Sequence, residues 1–142
     1  MKPNELMVAD CITVAHTHRQ PTIEQVYGIG QTDVLVKFES GIQLFEYSRV
    51  SPVPLSEEIF KKNGFVQPFK EDSSKYCEAE EKVDCFYRIK IQDYAQEGFY
   101  IETYITDKKN VNSEKEFSGF IKYVHELQHI LRLIGIEKEV KI

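Results

Sequence analysis

The sequence has no long apolar run, because its hydrophobic stretches are only a few residues each. A helix that spans a membrane needs about 20 consecutive apolar residues, so no such helix is predicted. The opening segment, MKPNELMVADC, also lacks the apolar core and the cleavage site of a secretory signal. We therefore expect a cytoplasmic protein.

The sequence also lacks an excess of basic side chains. It has 18 Lys and Arg against 23 Asp and Glu, which gives a net charge of −5. Residues 1–55 carry 4 basic and 6 acidic side chains, residues 56–112 carry 9 and 12, and residues 113–142 carry 5 and 5. Because binding to a phosphate backbone needs a concentrated basic surface, nucleic acid is not the expected partner.

Cysteines and catalytic signatures are scarce. The three cysteines, Cys11, Cys77 and Cys85, are an odd number in a chain without a signal, which predicts reduced thiols. The alternative is that Cys77 and Cys85, which are too far apart for a CxxC knuckle, belong to a metal site or a redox pair. No Gly-rich nucleotide loop and no GxSxG turn is present. We predict no catalytic residue and no cofactor, apart from one zinc-binding alternative.

The patterns that are present predict an α+β protein. Five short apolar runs separated by turn signals predict five strands, at 11–15, 22–29, 34–38, 42–47 and 50–55. Strands of this number and spacing are typical of a small β-barrel, so residues 1–55 are predicted to form one. Residues 56–142 are predicted to form an α+β half.

The α+β half begins with a linker helix at 56–63, which Ser56 caps and Asn63-Gly64 ends. A β-hairpin follows at 85–106, and a C-terminal helix runs from about 120 to 134, where Gly135 ends it. Residues 66–82 are predicted to be a loop with one weak strand, and residues 108–117 a polar segment. The tail alternates weakly, which is compatible with a final strand.

The segment VHELQH, residues 124–129, contains the His-Glu-x-x-His signature of zinc metalloproteases. On a helix, His125 and His129 share one face and could bind one zinc ion, with Glu126 as general base on its bound water. A third ligand is missing, because no His follows His129. Glu137 and Glu139 follow the predicted end of the helix and have no room for a second helix.

The predicted orientation of this helix also disfavours a zinc site. Both imidazoles lie away from the apolar stripe, beside Lys122 and Arg132, whose charges would repel a dication. We expect His125 and His129 to be exposed, purified protein to hold no stoichiometric zinc, and His129→Ala to change stability by less than ~0.5 kcal/mol. The predicted stripe consists of Phe120, Val124, Leu127, Leu131 and Ile134.

Two further groups of side chains have a possible function. His16 and His18, near a cysteine, are a second possible metal-binding fragment, although they lie in a predicted turn. Tyr94, Tyr100 and Tyr104 could form an exposed binding surface on the hairpin, although a Tyr-rich sheet face is more commonly packing.

Three stretches together resemble a family of small proteins with no assigned activity, found in Bacteroidales genomes, prophages and other mobile elements. They are MKPNELMVADCITV, SRVSPVPLSEEIFKKNGF and KYVHELQHILRLIGIEKEVKI. The first is similar to the pattern NEL-x-x-G-D/N-x-V, with Ala9 in place of Gly. Family members can carry Gln in place of Glu126 and Asn in place of His129, which implies that the zinc signature is not essential. The resemblance implies a phage-linked accessory protein.

The N-terminal strands also resemble a Src-homology-3-like barrel of the Tudor or KOW type, a fold-level likeness that implies binding more than catalysis. We predict a non-enzymatic binding or adaptor protein whose partner is a protein. One alternative is a zinc hydrolase that uses His125, Glu126 and His129. The other is a nucleic-acid-binding barrel, which salt-dependent retention on DNA or RNA would favour.

Overall fold

The computed structural model describes residues 1–66, 74–76, 85–107 and 113–142. The fold is α+β, as predicted, and its paired strands are antiparallel. The chain divides into two compact units. The first unit contains residues 1–54 and 123–129, and the second contains residues 55–122 and 130–142. Within the described ranges, no helix is long and apolar enough to cross a membrane.

The first unit contains one five-stranded sheet, and its strands confirm the five that were predicted. Their order is β4-β3-β2-β1-β5, so β4 and β5 form the two edges. Short 3-10 turns lie at Pro3–Glu5 and Tyr47–Arg49. The strands are β1 (Cys11–Val14), β2 (Thr22–Ile29), β3 (Asp33–Phe38), β4 (Gly41–Glu46) and β5 (Val50–Pro52).

Alternation along the strands gives this sheet its core. In β3, Val34, Val36 and Phe38 are buried, whereas the intervening Leu35 and Lys37 are exposed, because successive side chains point to opposite faces. The buried faces of the strands join in one apolar cluster. It consists of Leu6, Ile12, Val14, Val26, Val34, Val36, Phe38, Phe45 and Val50.

The second unit begins with helix α1 (Glu57–Lys62), which confirms the predicted linker helix. The Ser56 hydroxyl accepts a hydrogen bond from the Ile59 N–H at 3.4 Å, as an N-cap residue does. Gly64 has a φ of +81°, the left-handed conformation that ends a helix. The local signals at both ends of α1 were therefore sufficient to predict it.

The sheet of the second unit has the order β6-β7-β8-β9. The predicted hairpin is confirmed, because β7 and β8 pair from Cys85↔Asp107 to Asp93↔Phe99. Most of the predicted 66–82 loop lies outside the described residues, but its one weak strand corresponds to β6. The strands are β6 (Ser74–Tyr76), β7 (Cys85–Asp93), β8 (Phe99–Asp107) and β9 (Ser113–Ile121).

Strand β9 is a difference from the prediction, which had a polar segment up to residue 117 and a helix from about residue 120. Its first four side chains are all exposed and three of them are charged, so the apolar alternation of a half-buried strand is missing. Charged side chains are typical of an exposed edge strand. Phe120, predicted to lie in the apolar stripe of the helix, is in β9 and is 47% exposed.

Helix α2 (Val124–Leu133) begins later than predicted and ends where predicted. Gly135 has a φ of +74°, and the Ile136 N–H donates to the Leu131 carbonyl at 2.8 Å, as in a Schellman motif. The predicted stripe residues within α2 and at its end are buried. They are Val124, Leu127, Leu131 and Ile134.

The tail after α2 forms no strand, so that possibility is wrong. Asn63, at the end of α1, holds the tail instead. Its Nδ2 donates to the carbonyls of Ile59 and Lys141, both at 2.7 Å, and its Oδ1 accepts from the Lys141 N–H at 2.9 Å. Asn63 is buried, so these bonds satisfy polar groups that are shielded from water.

Candidate functional site

The Glu of the zinc signature caps helix α2. Tyr123 immediately precedes the helix, and its N–H donates to Glu126 Oε2 at 3.0 Å. A Glu at the third helical position that accepts from the N-cap backbone forms half of a capping box. Glu126 therefore accepts a hydrogen bond from a backbone N–H at the start of the helix. This role requires no metal-bound water.

His125 is buried, so the prediction that it is exposed is wrong. Only 6% of the surface of His125 is exposed. Its ring stacks on the ring of Tyr123, with centroids 5.8 Å apart and an angle of 10° between the planes. The His129 ring packs against it edge to face, with centroids 5.7 Å apart. Nδ1 of His125 has no hydrogen-bond partner among the described residues. Burial lowers the pKa of this imidazole below its usual 6.5, so the ring is neutral at pH 7.

His129 is also less exposed than predicted, because 71% of its side-chain surface is covered and 29% is open. Its Nε2 lies 2.8 Å from Oδ2 of Asp10, a side chain that is fully buried. The same carboxylate oxygen accepts from the Met7 N–H at 2.7 Å. The charged neighbour of His129 is thus a carboxylate, in contrast to the cations that the helical pattern predicted.

Gln128, which lies between the two histidines, was missed by the sequence analysis. It is buried, its Oε1 accepts from the Cys11 N–H at 3.0 Å, and its Nε2 donates to the Ala9 carbonyl at 3.3 Å. Gln128, His129 and Asp10 therefore tie helix α2 to the start of β1, and we call these three residues the helix–strand clamp. Gln128 is a polar residue among the apolar positions of the helix, and this pattern in the sequence could have identified it.

Ala9 supports the clamp with an unusual backbone. Its φ is +69°, a left-handed conformation that costs an L-residue roughly 1–2 kcal/mol. Glycine adopts this conformation without strain, so the backbone at this position favours a glycine.

The arrangement around the clamp offers little chemistry. In the part of the chain that the structure describes, no three His, Cys, Asp or Glu side chains are placed to hold a metal ion. Cys11 is buried and is not in a disulfide, and its Sγ is 3.7 Å from Nε2 of Gln128. A nucleophile needs an adjacent base and access to substrate, and this thiol is covered. The geometry supports a structural role for the HELQH segment.

The second possible metal-binding fragment is divided between two environments. His16 Nε2 lies 2.9 Å from the Thr22 hydroxyl, and its ring packs against Phe38 and Phe45 at 5.9 and 6.0 Å. His18 is exposed. His16 therefore belongs to a packed aromatic cluster, and His18 belongs to a surface turn.

A groove lies beside edge strand β4. It encloses about 680 Å³ and includes both apolar and charged side chains. Leu44 of β4 is 60% exposed, and Ile42 on the same strand is 48% exposed. The lining residues are Thr32, Asp33, Leu44, Phe45, Glu46, Tyr47, Ser48 and Arg49.

The three tyrosines that could form a binding surface or pack on the sheet make two separate contacts. Tyr94, Tyr100 and Phe120 pack edge to face, with centroids 5.1–6.1 Å apart. The Tyr104 hydroxyl donates to Glu102 at 3.1 Å. Of the three tyrosines only Tyr94 is classed as exposed, at 47%, so this surface is largely engaged in packing.

No protein-family model matches the chain, and no curated protein or solved structure matches it either. The candidate site therefore rests on the geometry of this chain alone.

Proposed function

We propose that this is a non-catalytic, cytoplasmic binding protein that takes an extended segment of a partner protein along the edge of β4. The resemblance to proteins of prophages and mobile elements supports an adaptor role of phage or mobile-element origin. The observation that carries the proposal is the exposed edge: five of the six β4 residues are exposed, and two of them are large and apolar.

The edge of β4 has the physical properties of a peptide-binding strand. Among the described residues, β4 pairs on one side only, with β3, in unbroken register from Asp33↔Glu46 to Phe38↔Gly41. Alternate backbone groups of an edge strand point away from the sheet and can pair with an added strand. Exposed Leu44 and the neighbouring groove provide apolar contact and a recess for partner side chains.

We further propose that the first unit is a small Src-homology-3-like barrel. The strand order β4-β3-β2-β1-β5 and the 3-10 turn directly before β5 support this proposal. The register of β2 with β3 shifts between Val26 and Gly28, and such a bulge bends a strand as a small barrel requires. Small barrels of this kind support binding by surface variation.

The two alternatives have weaker support. A zinc hydrolase needs Glu126 to face a metal-bound water, whereas its carboxylate caps helix α2. A nucleic-acid-binding barrel needs a continuous basic surface, whereas Asp33 and Glu46 line the groove beside β4. A protein partner therefore remains the proposed ligand.

The proposal is tested with a charge placed on the edge strand. We expect Leu44→Lys to abolish capture of a host partner that the unchanged protein retains, because a lysine ammonium must be desolvated when a strand is added there. The control is Leu133→Lys, since Leu133 is also an exposed leucine, at 72%, but lies in helix α2. Tyr94→Lys tests the hairpin surface.

Amide hydrogen exchange locates the binding face directly. The partner that depends on Leu44 is expected to slow exchange in β4 more than in β7 and β8. Capture that survives Leu44→Lys but fails with Tyr94→Lys would move the binding face to the hairpin and refute the proposal.

A further inference from the structure

Two arginines and a histidine converge on one aromatic pair in the first unit. The rings of Phe38 and Phe45 lie 5.7 Å apart. Arg19 Cζ is 5.9 Å from the Phe38 centroid, and Arg49 Cζ is 5.2 Å from the Phe45 centroid. His16 contacts both rings. We call these five residues the cationic cluster.

Among the described residues, no carboxylate forms a salt bridge with the arginines of the cationic cluster. Arg19 also donates no hydrogen bond to a described residue. Arg49 is held in place, because its Nε and Nη2 donate to the Ala15 carbonyl at 3.2 and 2.9 Å. Burial is the largest cause that lowers the pKa of His16, and the charges of Arg19 and Arg49 lower it further, whereas the charge of Glu24 raises it. An anion bound beside either guanidinium group would be stabilised by its positive charge.

The cationic cluster adjoins the groove beside β4, because Phe45 and Arg49 belong to both. Arg49 lines the groove, and Arg19 lies over Phe38, the β3 residue that pairs with Gly41 of β4. A peptide along β4 therefore brings its side chains to the part of the sheet that carries both arginines. Guanidinium groups bind carboxylates through paired N–H donors.

We propose that Arg19 and Arg49 bind the carboxylate of an Asp or Glu side chain in the partner peptide, an assignment that rests on the proposed function. The groove itself favours a carboxylate over a phosphate. Asp33 and Glu46 also line it and would repel the larger charge of a phosphate group more strongly.

Two synthetic peptides test this subsite. The first is a six-residue peptide of alternating Val and Glu, and the second replaces each Glu with Gln. We expect the Glu peptide to bind the unchanged protein roughly tenfold more tightly in a fluorescence anisotropy titration, because one charge-assisted contact commonly changes affinity by this factor. The preference should weaken as salt is added.

Arg19→Ala is the decisive variant, since the Arg19 guanidinium makes no hydrogen bond with any residue that the structure describes. It should remove the preference for the Glu peptide, and Arg19→Lys should restore part of it. Lys37→Ala is the matched control, because Lys37 is exposed on the opposite face of β3 and carries the same charge. Arg49→Ala is a second variant, which also loses the contacts to Ala15.

Each outcome decides the assignment. Equal affinity for the two peptides, or a preference that Arg19→Ala leaves intact, overturns the carboxylate subsite. Inorganic phosphate that displaces the Glu peptide more strongly than acetate does would identify a phosphate site and overturn it too. Leu44→Lys separates this failure from that of the proposed function. If Leu44→Lys weakens the binding of both peptides equally, and the unchanged protein prefers neither peptide, then the β4 edge binds peptide and only the carboxylate subsite is wrong. If neither peptide binds the unchanged protein, the carboxylate subsite is wrong. The capture experiment with Leu44→Lys then tests by itself whether the β4 edge binds a partner.

Discussion

Each unit of the protein contains a buried amide side chain that binds backbone far away in the sequence. In the first unit Gln128 reaches Cys11 and Ala9, which are 117 and 119 residues away. In the second unit Asn63 reaches Lys141, which is 78 residues away. The two contacts use the same chemistry, but the first unit also contains a buried histidine, His125, whose pKa is lowered by burial. Protonation of His125 in acid should therefore destabilise the first unit.

The largest effect is expected in the second unit, from Asn63→Ala. This change removes three hydrogen bonds from a buried position and leaves the Lys141 N–H and carbonyl without that partner, which should cost about 3 kcal/mol of unfolding free energy. Urea denaturation measures the loss, and hydrogen exchange at Lys141 should accelerate. Gln43→Ala removes an exposed amide in the first unit and serves as the control. A loss below ~1 kcal/mol would show that the tail is held by other contacts.

His129→Ala should have the next largest effect, about 2 kcal/mol, because it removes a partner from a fully buried carboxylate. The helical pattern alone predicted less than ~0.5 kcal/mol, as for an exposed residue, so the same urea experiment separates the two expectations. Adding Asp10→Asn to His129→Ala should recover part of the loss, because the buried carboxylate charge is then absent. Independent, additive costs for the two substitutions would contradict the Asp10–His129 contact.

His125 should make stability depend on pH near neutrality. Burial lowers its folded-state pKa; Glu126, Asp10 and Glu5 raise it and His129 lowers it, but the net shift is downward. Below pH 6.5 the unfolded state therefore binds a proton that the folded state does not, so stability falls as the pH falls. The slope is at most about 1.4 kcal/mol per pH unit for one proton. The difference between wild-type and His125→Gln curves from pH 7.5 to 5.5 isolates this effect, and parallel curves would refute it.

Ala9→Gly should have the smallest effect and the opposite sign. Glycine removes the strain of a φ of +69°, but its unfolded chain has more conformational freedom, so the net gain in stability is expected to be about 0.5–1 kcal/mol. Ala95, which has a φ of +49° in the exposed hairpin turn, provides a comparison. If Ala95→Gly stabilises and Ala9→Gly does not, the strain at Ala9 is relieved by its surroundings.

Short-range signals predicted much of this fold. Ser56 and Gly64 marked the ends of α1, Gly135 marked the end of α2, and alternation marked the five strands of the first unit and the hairpin of the second. Strand β9 was missed because its exposed, charged residues show no apolar alternation. The local pattern was therefore sufficient where a residue's own neighbours in sequence decide its conformation.

The environment of the HELQH segment could not be predicted in the same way. A helical pattern gives the angle between side chains but not the surface that each one meets. His129 meets Asp10, and Gln128 meets the backbone of Ala9 and Cys11, more than 110 residues earlier. The groove beside β4 was missed for the same reason, since it is formed by residues from β3, β4 and the turn after β4.

The helix–strand clamp has a consequence for the order in which the protein is made. Gln128 and His129 are synthesised more than 110 residues after the groups that they bind. Until they emerge from the ribosome, the Cys11 N–H, the Ala9 carbonyl and the Asp10 carboxylate lack their contacts with these two side chains. The first unit therefore completes the helix–strand clamp only after residue 129 has emerged.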